Sequence, residues 1–261
     1  MKTIASRDNP TFKALRDLSQ DAREQRRQGK ALIDGPHLLQ SYRDHGGHPE
    51  QLVVSESGLE NTEVRALLAV FEGIETLCLR DSLFKEISSI ASPVGILAVI
   101  RIPKISPRHK IAGSCVVLDG LQDAGNVGSI LRTAAAAGIR DVILGPGCAG
   151  AWSSKVLRAG QGAHFGLTIR EQVNLVEFLS RWEETTIATV ARDGQPLFDL
   201  KLISPIAWLF GAEGRGLAPD LLARAEVRAV IPMAAGSESL NVGAAAAICL
   251  FEELRQRLQM T

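Results

Sequence analysis

Trp208 to Arg257 reads WLFGAEGRGLAPDLLARAEVRAVIPMAAGSESLNVGAAAAICLFEELRQR, and the fold is decided here. A short apolar run, Ile206 to Phe210, stops at Gly211-Ala212-Glu213-Gly214-Arg215-Gly216. A second, Val227 to Ile231, stops at Pro232-Met233. A polar loop, Gly236 to Ser239, then opens a helix rich in small residues. Two buried-strand signals and a helix start, each bordered by a loop with special backbone chemistry, predict three loops meeting at one site. That layout fits ligand binding at the carboxyl ends of strands in an α/β sheet.

Outward from this passage, the second half alternates strand and helix. Strands are predicted over Cys115–Leu118, Asp141–Leu144, Gly166–Ile169 and Thr185–Val190, with helices over Asn126–Ala137, Ser153–Ala159 and Asn174–Trp182. Such alternation predicts a mostly parallel sheet covered on both faces. The first half is a smaller α/β alternation: a helix over Pro10–Lys30, strands at Ala31–Ile33, Gln51–Glu56, Thr76–Leu79 and Gly95–Ile102, and helices from Pro36, Glu63 and Asp81. Ile102 to Lys110, with two prolines and four basic residues, reads as the boundary. The expected domains are therefore 1–105, a linker at 106–112, and 113–261.

Composition excludes more than it assigns. The chain has 261 residues, 46% apolar and 22% charged, so a disordered chain is excluded. Its 29 basic and 29 acidic residues cancel, but Met1–Lys30 carries Lys2, Arg7, Lys13, Arg16, Arg23, Arg26, Arg27 and Lys30 against Asp8, Asp17, Asp21 and Glu24. That local excess suits phosphates; the plain alternative is a solvated helix face. Cys78, Cys115, Cys148 and Cys249 lie far apart, and none of His37, His45, His48, His109 and His164 has ligand spacing, so no metal site is expected. No apolar run approaches the ~18 residues of a membrane span, which with the scattered cysteines predicts a cytoplasmic protein.

Four constellations can carry chemistry. Asp119–Ala137 turns from a strand into a helix with Gly125, Asn126 and Gly128 in its first turn and Arg132 one turn later. Glycines there leave N–H groups open to a ligand, and helical side chains lean toward the N-terminus, so Arg132 is expected over the gap at Gly128. GPGCAG, Gly145–Gly150, is formally a dinucleotide fingerprint with Glu171 downstream, but it follows the domain's second strand rather than its first. In GAEGRGL, Glu213 is placed to accept N–H groups or to pair with Arg132, or to be a solvated acid in a capping turn. In SESLN, one of Ser239 and Asn241 is expected to cap the final helix and the other to meet a ligand.

Three of these segments, LDGLQDAGNVGSILRTAAAAGI (Leu118–Ile139), WLFGAEGRGLAPDLL (Trp208–Leu222) and VIPMAAGSESLNVGAAAAICLFEELR (Val230–Arg255), resemble in order and spacing the three motifs of the SpoU family of RNA ribose 2′-O-methyltransferases in the SPOUT superfamily. IASRDNPTFKALRDL, ALIDGPHLL and SPVGILAVI resemble the family's N-terminal substrate-binding module, which is similar to certain ribosomal proteins. The resemblance implies a deep trefoil knot in the C-terminal sheet, S-adenosylmethionine as methyl donor, a homodimer, and no membrane or metal. It implies donor contacts at Leu209, Gly211, Gly216, Ile231, Met233 and Leu240, and functional roles for Asn126, Arg132, Glu213, Ser239 and Asn241. It implies an RNA substrate, large-subunit rRNA ahead of tRNA; a non-catalytic RNA-binding or ribosome-assembly protein is the alternative of another class. Ala124-Gly125, where the family often has Asp-Pro, and Gly160-Gln161-Gly162-Ala163 depart from its pattern.

Overall fold

The structure is a computed structural model that describes residues 1–106, 108–203 and 205–259, so Pro107 of the expected linker lies outside the described residues. The chain forms two compact units, Met1–Lys104 with Trp152–Phe165, and Ile105–Ala151 with the residues from Gly166 on.

In the first unit the elements run β1 (Lys2–Ile4), α1 (Pro10–Gln20), α2 (Ala22–Gln28), β2 (Lys30–Asp34), α3 (Pro36–Asp44), β3 (Gln51–Ser55), α4 (Thr62–Val70), β4 (Thr76–Leu79), α5 (Asp81–Ile87) and β5 (Ile96–Arg101). The sheet order is β1-β4-β3-β5-β2. β1, β4 and β3 are parallel, and β5 runs antiparallel to both β3 and β2. Phe12, Leu15 and Leu18 recur at helical spacing and are buried against Leu32, Val53, Leu79 and Phe84.

Two expectations change here. The helix predicted over Pro10–Lys30 is two helices, because Asp21 takes an extended conformation (φ −120°, ψ 109°) and its carboxylate caps α2 at Arg23 N–H (2.7 Å). The other is the segment after GPGCAG, sequence-assigned to the second domain. Its helix α7 (Ser154–Gly160) clusters with the first unit and packs on β2. Gly162, at φ +87°, has room there only for hydrogen, since a Cβ would overlap the Ser41 side chain.

The second unit comprises β6 (Cys115–Asp119), α6 (Ala124–Ala136), β7 (Asp141–Leu144), β8 (Thr168–Arg170), α8 (Leu175–Ser180), β9 (Thr185–Val190), β10 (Gln195–Pro196), β11 (Ile206–Gly211), α9 (Pro219–Leu222), β12 (Val227–Val230) and α10 (Val242–Leu258). Its seven strands run in the order β10-β12-β9-β11-β6-β7-β8, and every pair is parallel. The near-continuous apolar runs follow from this: a parallel strand covered on both faces has no polar side, and Cys115–Leu118 and Trp208–Phe210 are fully buried. β11 lies between β6 and β9, with Leu209 opposite Val117 on one side and Ala188 on the other. The carboxyl ends of β6, β9, β11 and β12 therefore face one region.

α10 is fastened to that sheet by a buried carboxylate. Glu253, fully buried, accepts from Ser114 Oγ (2.5 Å) and from Trp208 Nε1 (2.6 Å), with Arg257 Nε at 3.6 Å. A buried indole N–H needs such a partner. Burial pushes the Glu253 carboxyl above the ordinary value of 4.5, against the opposing pull of Ser114, Trp208 and Arg257. The folded state thus holds this proton more tightly than the unfolded chain. The stability it contributes is full below pH 4.5 and declines as pH rises from there through the raised folded value. Glu253→Gln is expected to flatten that part of the pH–stability curve. Urea midpoints across the range, followed by tryptophan fluorescence, check it; an unchanged slope contradicts it.

Candidate active site

Asn241 ends the loop before α10 and is its N-cap: its Oδ1 accepts from Gly243 N–H (2.9 Å) and Ala244 N–H (3.3 Å). That fixes the amide's orientation, so its Nδ2 must donate. It donates to Asn126 Oδ1 (2.9 Å), and Asn126 Nδ2 in turn donates to Glu213 Oε1. Asn126 sits in the first turn of α6, whose cap Asp123 accepts from Asn126 N–H at 2.7 Å. One hydrogen-bonded line thus joins the three motif segments, from a helix N-terminus through two amides to a carboxylate. Each donor is polarised by the next acceptor. Gly243 lies close beside the join: a Cβ there would stand 3.5 Å from Asn126 Oδ1 and 3.1 Å from Asn241 Oδ1.

Beside this line is a cleft of about 630 Å³. One wall is the β11 loop. It doubles back so that Gly216 N–H donates to Ala212 O (2.8 Å), and Asp119 at the end of β6 accepts from Ala218 N–H (2.8 Å). The doubled loop passes so close to Gly211 that a Cβ there would overlap the backbone of Gly216 and Leu217. Ile231, Met233, Leu240, Val242 and Ala245 give the space an apolar lining elsewhere, among polar residues. Leu240 is 41% exposed, an apolar side chain turned to the cleft rather than to the core.

Measured against expectation, Gly211, Gly216, Ile231, Met233, Leu240, Glu213, Ser239 and Asn241 all line this cleft. Leu209 does not: it is fully buried in the core with Val117 and Ile143, and its carbonyl accepts from Thr189 Oγ1 (3.0 Å). Of Ser239 and Asn241, Asn241 is the cap, and Ser239 makes no hydrogen bond among the described residues. Glu213 bonds Asn126, not Arg132. Arg132 is exposed on the stripe Gly125, Ser129, Arg132, Ala136, outside the cleft lining, and makes no hydrogen bond or ion pair among the described residues. Thr189, Arg192 and Glu238 also line the cleft and were missed. Glu238 stands inside the quoted SESLN. Arg192 follows the predicted strand Thr185–Val190, and its place at a strand's carboxyl end was the available signal.

Two N–H groups of GPGCAG are used within the protein: Gly145 donates to Leu118 O (2.9 Å) and Ala149 to Leu121 O (2.7 Å). Ala151 N–H just beyond donates to Glu171 Oε1 (2.8 Å), so Glu171 holds the loop instead of a ribose. Among the described residues no group of three or more His, Cys, Asp and Glu gathers to hold a metal ion, and no helix is long and apolar enough to cross a membrane.

Comparisons with known proteins agree with the geometry. A family model described as SpoU rRNA Methylase family matches residues 113–251, and one described as MRM3-like substrate binding domain matches residues 9–98. The chain is 30% identical to the 23S rRNA (guanosine(2553)-2′-O)-methyltransferase RlmP of Bacillus subtilis, over 96% of this chain and 98% of the relative. It is 31% identical to an uncharacterized tRNA/rRNA methyltransferase of Synechocystis sp., over 98% and 94%. The solved structure of an rRNA methyltransferase from Sinorhizobium meliloti with S-adenosylmethionine bound superposes with a TM-score of 0.82 at 27% identity, covering 97% of each chain.

Proposed function

The chain belongs to the SpoU rRNA methylase family and is an S-adenosylmethionine-dependent RNA 2′-O-methyltransferase; we propose that it methylates a ribose of large-subunit rRNA and that the joined motif segments form its active site. The observation that carries this is the line Asn241–Asn126–Glu213 at the edge of the cleft. The cleft fits the donor. Its volume lies in the range of small-molecule sites, its apolar walls suit an adenine, and the backbone of the doubled loop offers polar groups at one edge. On this reading Gly211, Gly216, Ile231, Met233 and Leu240 hold the donor, and Leu209 contributes through the strand behind them.

The bound donor supplies an electrophilic methyl group on a sulfonium. The chain's own residues prepare the nucleophile, a weakly acidic hydroxyl whose alkoxide character must be stabilised as it forms. Arg132 acts as a cation on the neighbouring phosphate and the forming alkoxide. A base role would require a neutral guanidine, which the strong basicity of arginine makes costly. Asn126 has one amide hydrogen committed to Glu213 and one left to orient ribose or phosphate. The unpartnered Ser239 hydroxyl meets the substrate hydroxyl, and Glu213 holds Asn126 in place.

Residues 1–105 form the RNA-binding part and 113–261 the transferase part in this account. Within the basic start, Arg7, Lys13, Arg16, Arg27 and Lys30 are ion-paired, whereas Lys2, Arg23 and Arg26 have no ion pair among the described residues. These three are the groups expected to give RNA binding its salt dependence. An rRNA substrate supports a cytoplasmic location for the enzyme on this reading.

The segment from Val227 to α10 lies in the trefoil knot on this reading, and the functional particle is a homodimer. Supporting the dimer, Phe251 is 46% and Leu258 67% exposed on α10. Phe251→Glu is expected to shift sedimentation equilibrium to the monomer with an unchanged thermal melt of the isolated chain; an unshifted mass contradicts the dimer face. The function itself is tested by calorimetry: S-adenosylmethionine binds and NAD does not. Binding of NAD in its place, or of neither, overturns it.

A further inference from the structure

Among the described residues that line the cleft, the ionisable ones are Arg192, Glu213 and Glu238: one cation against two anions. The donor assigned above carries the inverse set, a carboxylate against an ammonium and a sulfonium. Glu213 already spends one oxygen on Asn126. Arg192 and Glu238 make no hydrogen bond or ion pair among the described residues, with each other or with anything else. Both side chains are exposed at the cleft, so neither is committed to the protein and each is free to meet an opposite charge on a ligand.

Arg192 is also held in place by its backbone. β9 before it pairs with β12, Val190 opposite Val230, and β10 after it pairs with the same strand, Gln195 opposite Ala229. Between these anchors Asp193 takes φ +59°, and Gly194 presses so closely on β12 that a Cβ would stand 2.6 Å from Arg228 O. The turn is therefore short and closed at both ends, and it delivers Arg192 to the cleft instead of leaving it on a free loop. Guanidinium is the cation suited to a carboxylate, because its planar fork matches both oxygens.

We propose that Arg192 binds the carboxylate of S-adenosylmethionine and Glu238 its ammonium, so that the cleft recognises the donor's amino-acid end by charge as well as its adenosine by shape. The assignment rests on the donor reading above. It makes Arg192 and Glu238 donor-binding residues and gives the β9–β10 turn a specific task.

Calorimetry with three ligands tests it: S-adenosylmethionine, its decarboxylated analogue, which keeps the ammonium and sulfonium, and 5′-methylthioadenosine, which lacks the amino-acid end. Arg192→Ala is expected to weaken S-adenosylmethionine by roughly 10- to 100-fold, the worth of a hydrogen bond to a charged group, and to leave the other two unchanged. Arg192→Glu is expected to reverse the preference, binding the decarboxylated analogue more tightly than the donor. Glu238→Gln is expected to weaken both amino-bearing ligands and spare 5′-methylthioadenosine. Equal weakening of all three ligands by Arg192→Ala, or no change, overturns the proposal. Wild-type protein that fails to bind S-adenosylmethionine at all overturns the donor reading instead.

Discussion

Arg132→Ala is expected to lower methyl transfer by on the order of 10²- to 10³-fold, the range lost when one group stabilising a developing oxyanion is removed. Donor affinity is expected to stay within about twofold, because Arg132 lies outside the cleft lining and no cleft residue depends on it for a hydrogen bond among the described residues. The folded state should also be untouched, since an exposed arginine without a partner contributes little to stability. Arg132→Lys separates a need for positive charge from a need for the planar guanidinium. A cation that steadies an alkoxide and a phosphate is partly replaced by ammonium, whereas a planar fork on phosphate is not. Transfer rates measured at saturating donor, with donor binding measured in parallel, check all of this. Normal turnover in Arg132→Ala removes the residue from the mechanism.

Gly211→Ala is expected to act at the other component, the donor. A single methyl there overlaps the backbone of Gly216 and Leu217, which has no flexible end to move aside. The loop must open, and with it go the Gly216–Ala212 hydrogen bond and the wall of the cleft. Donor binding should weaken by more than about 100-fold, and overpacking of this kind costs roughly 1–3 kcal/mol of stability. A cooperative thermal melt at lower temperature, with no heat of donor binding, is the expected pair of results. Wild-type donor affinity in this variant contradicts the placement of the donor against the doubled loop.

The two variants divide the site as the chain divides it. On the proposed reading, glycine and apolar residues seat the donor's adenosine and Arg192 and Glu238 its amino-acid end, while amides, the Glu213 carboxylate and Arg132 address the RNA. Parts of this division could be read from residues alone. Apolar runs marked β6, β7 and β11 because a strand buried on both faces leaves few polar positions. The glycines of GAEGRGL marked a loop in close contact with something, and Gly211 is the position where that contact is tightest.

What stayed hidden was long-range or very local. Asn126 meets Glu213 across 87 positions and Asn241 across 115, and no periodicity encodes such meetings. The resemblance implied Leu209 at the donor; β11 is covered on both faces, so the Leu209 side chain lies in the core and is absent from the cleft lining. Asp21 carried a cap signal inside a run of helical charges, so the break between α1 and α2 was overlooked. β1 has three residues, too few for alternation to register. Glu253 stands among charged residues at a helix end, which gives no sign in the sequence that it is the buried fastening of α10.

The most direct test of the central claim is chemical. Purified protein is incubated with S-adenosylmethionine labelled in its methyl group and with deproteinised large-subunit rRNA, and the RNA is then hydrolysed in alkali. A 2′-O-methyl group removes the hydroxyl that alkali uses to cleave the neighbouring phosphodiester, so methylated ribose survives as a resistant dinucleotide. The account predicts label in one such dinucleotide, and none with Arg132→Ala. Label released as a single nucleotide, marking a methylated base, or label absent from RNA altogether, would contradict it.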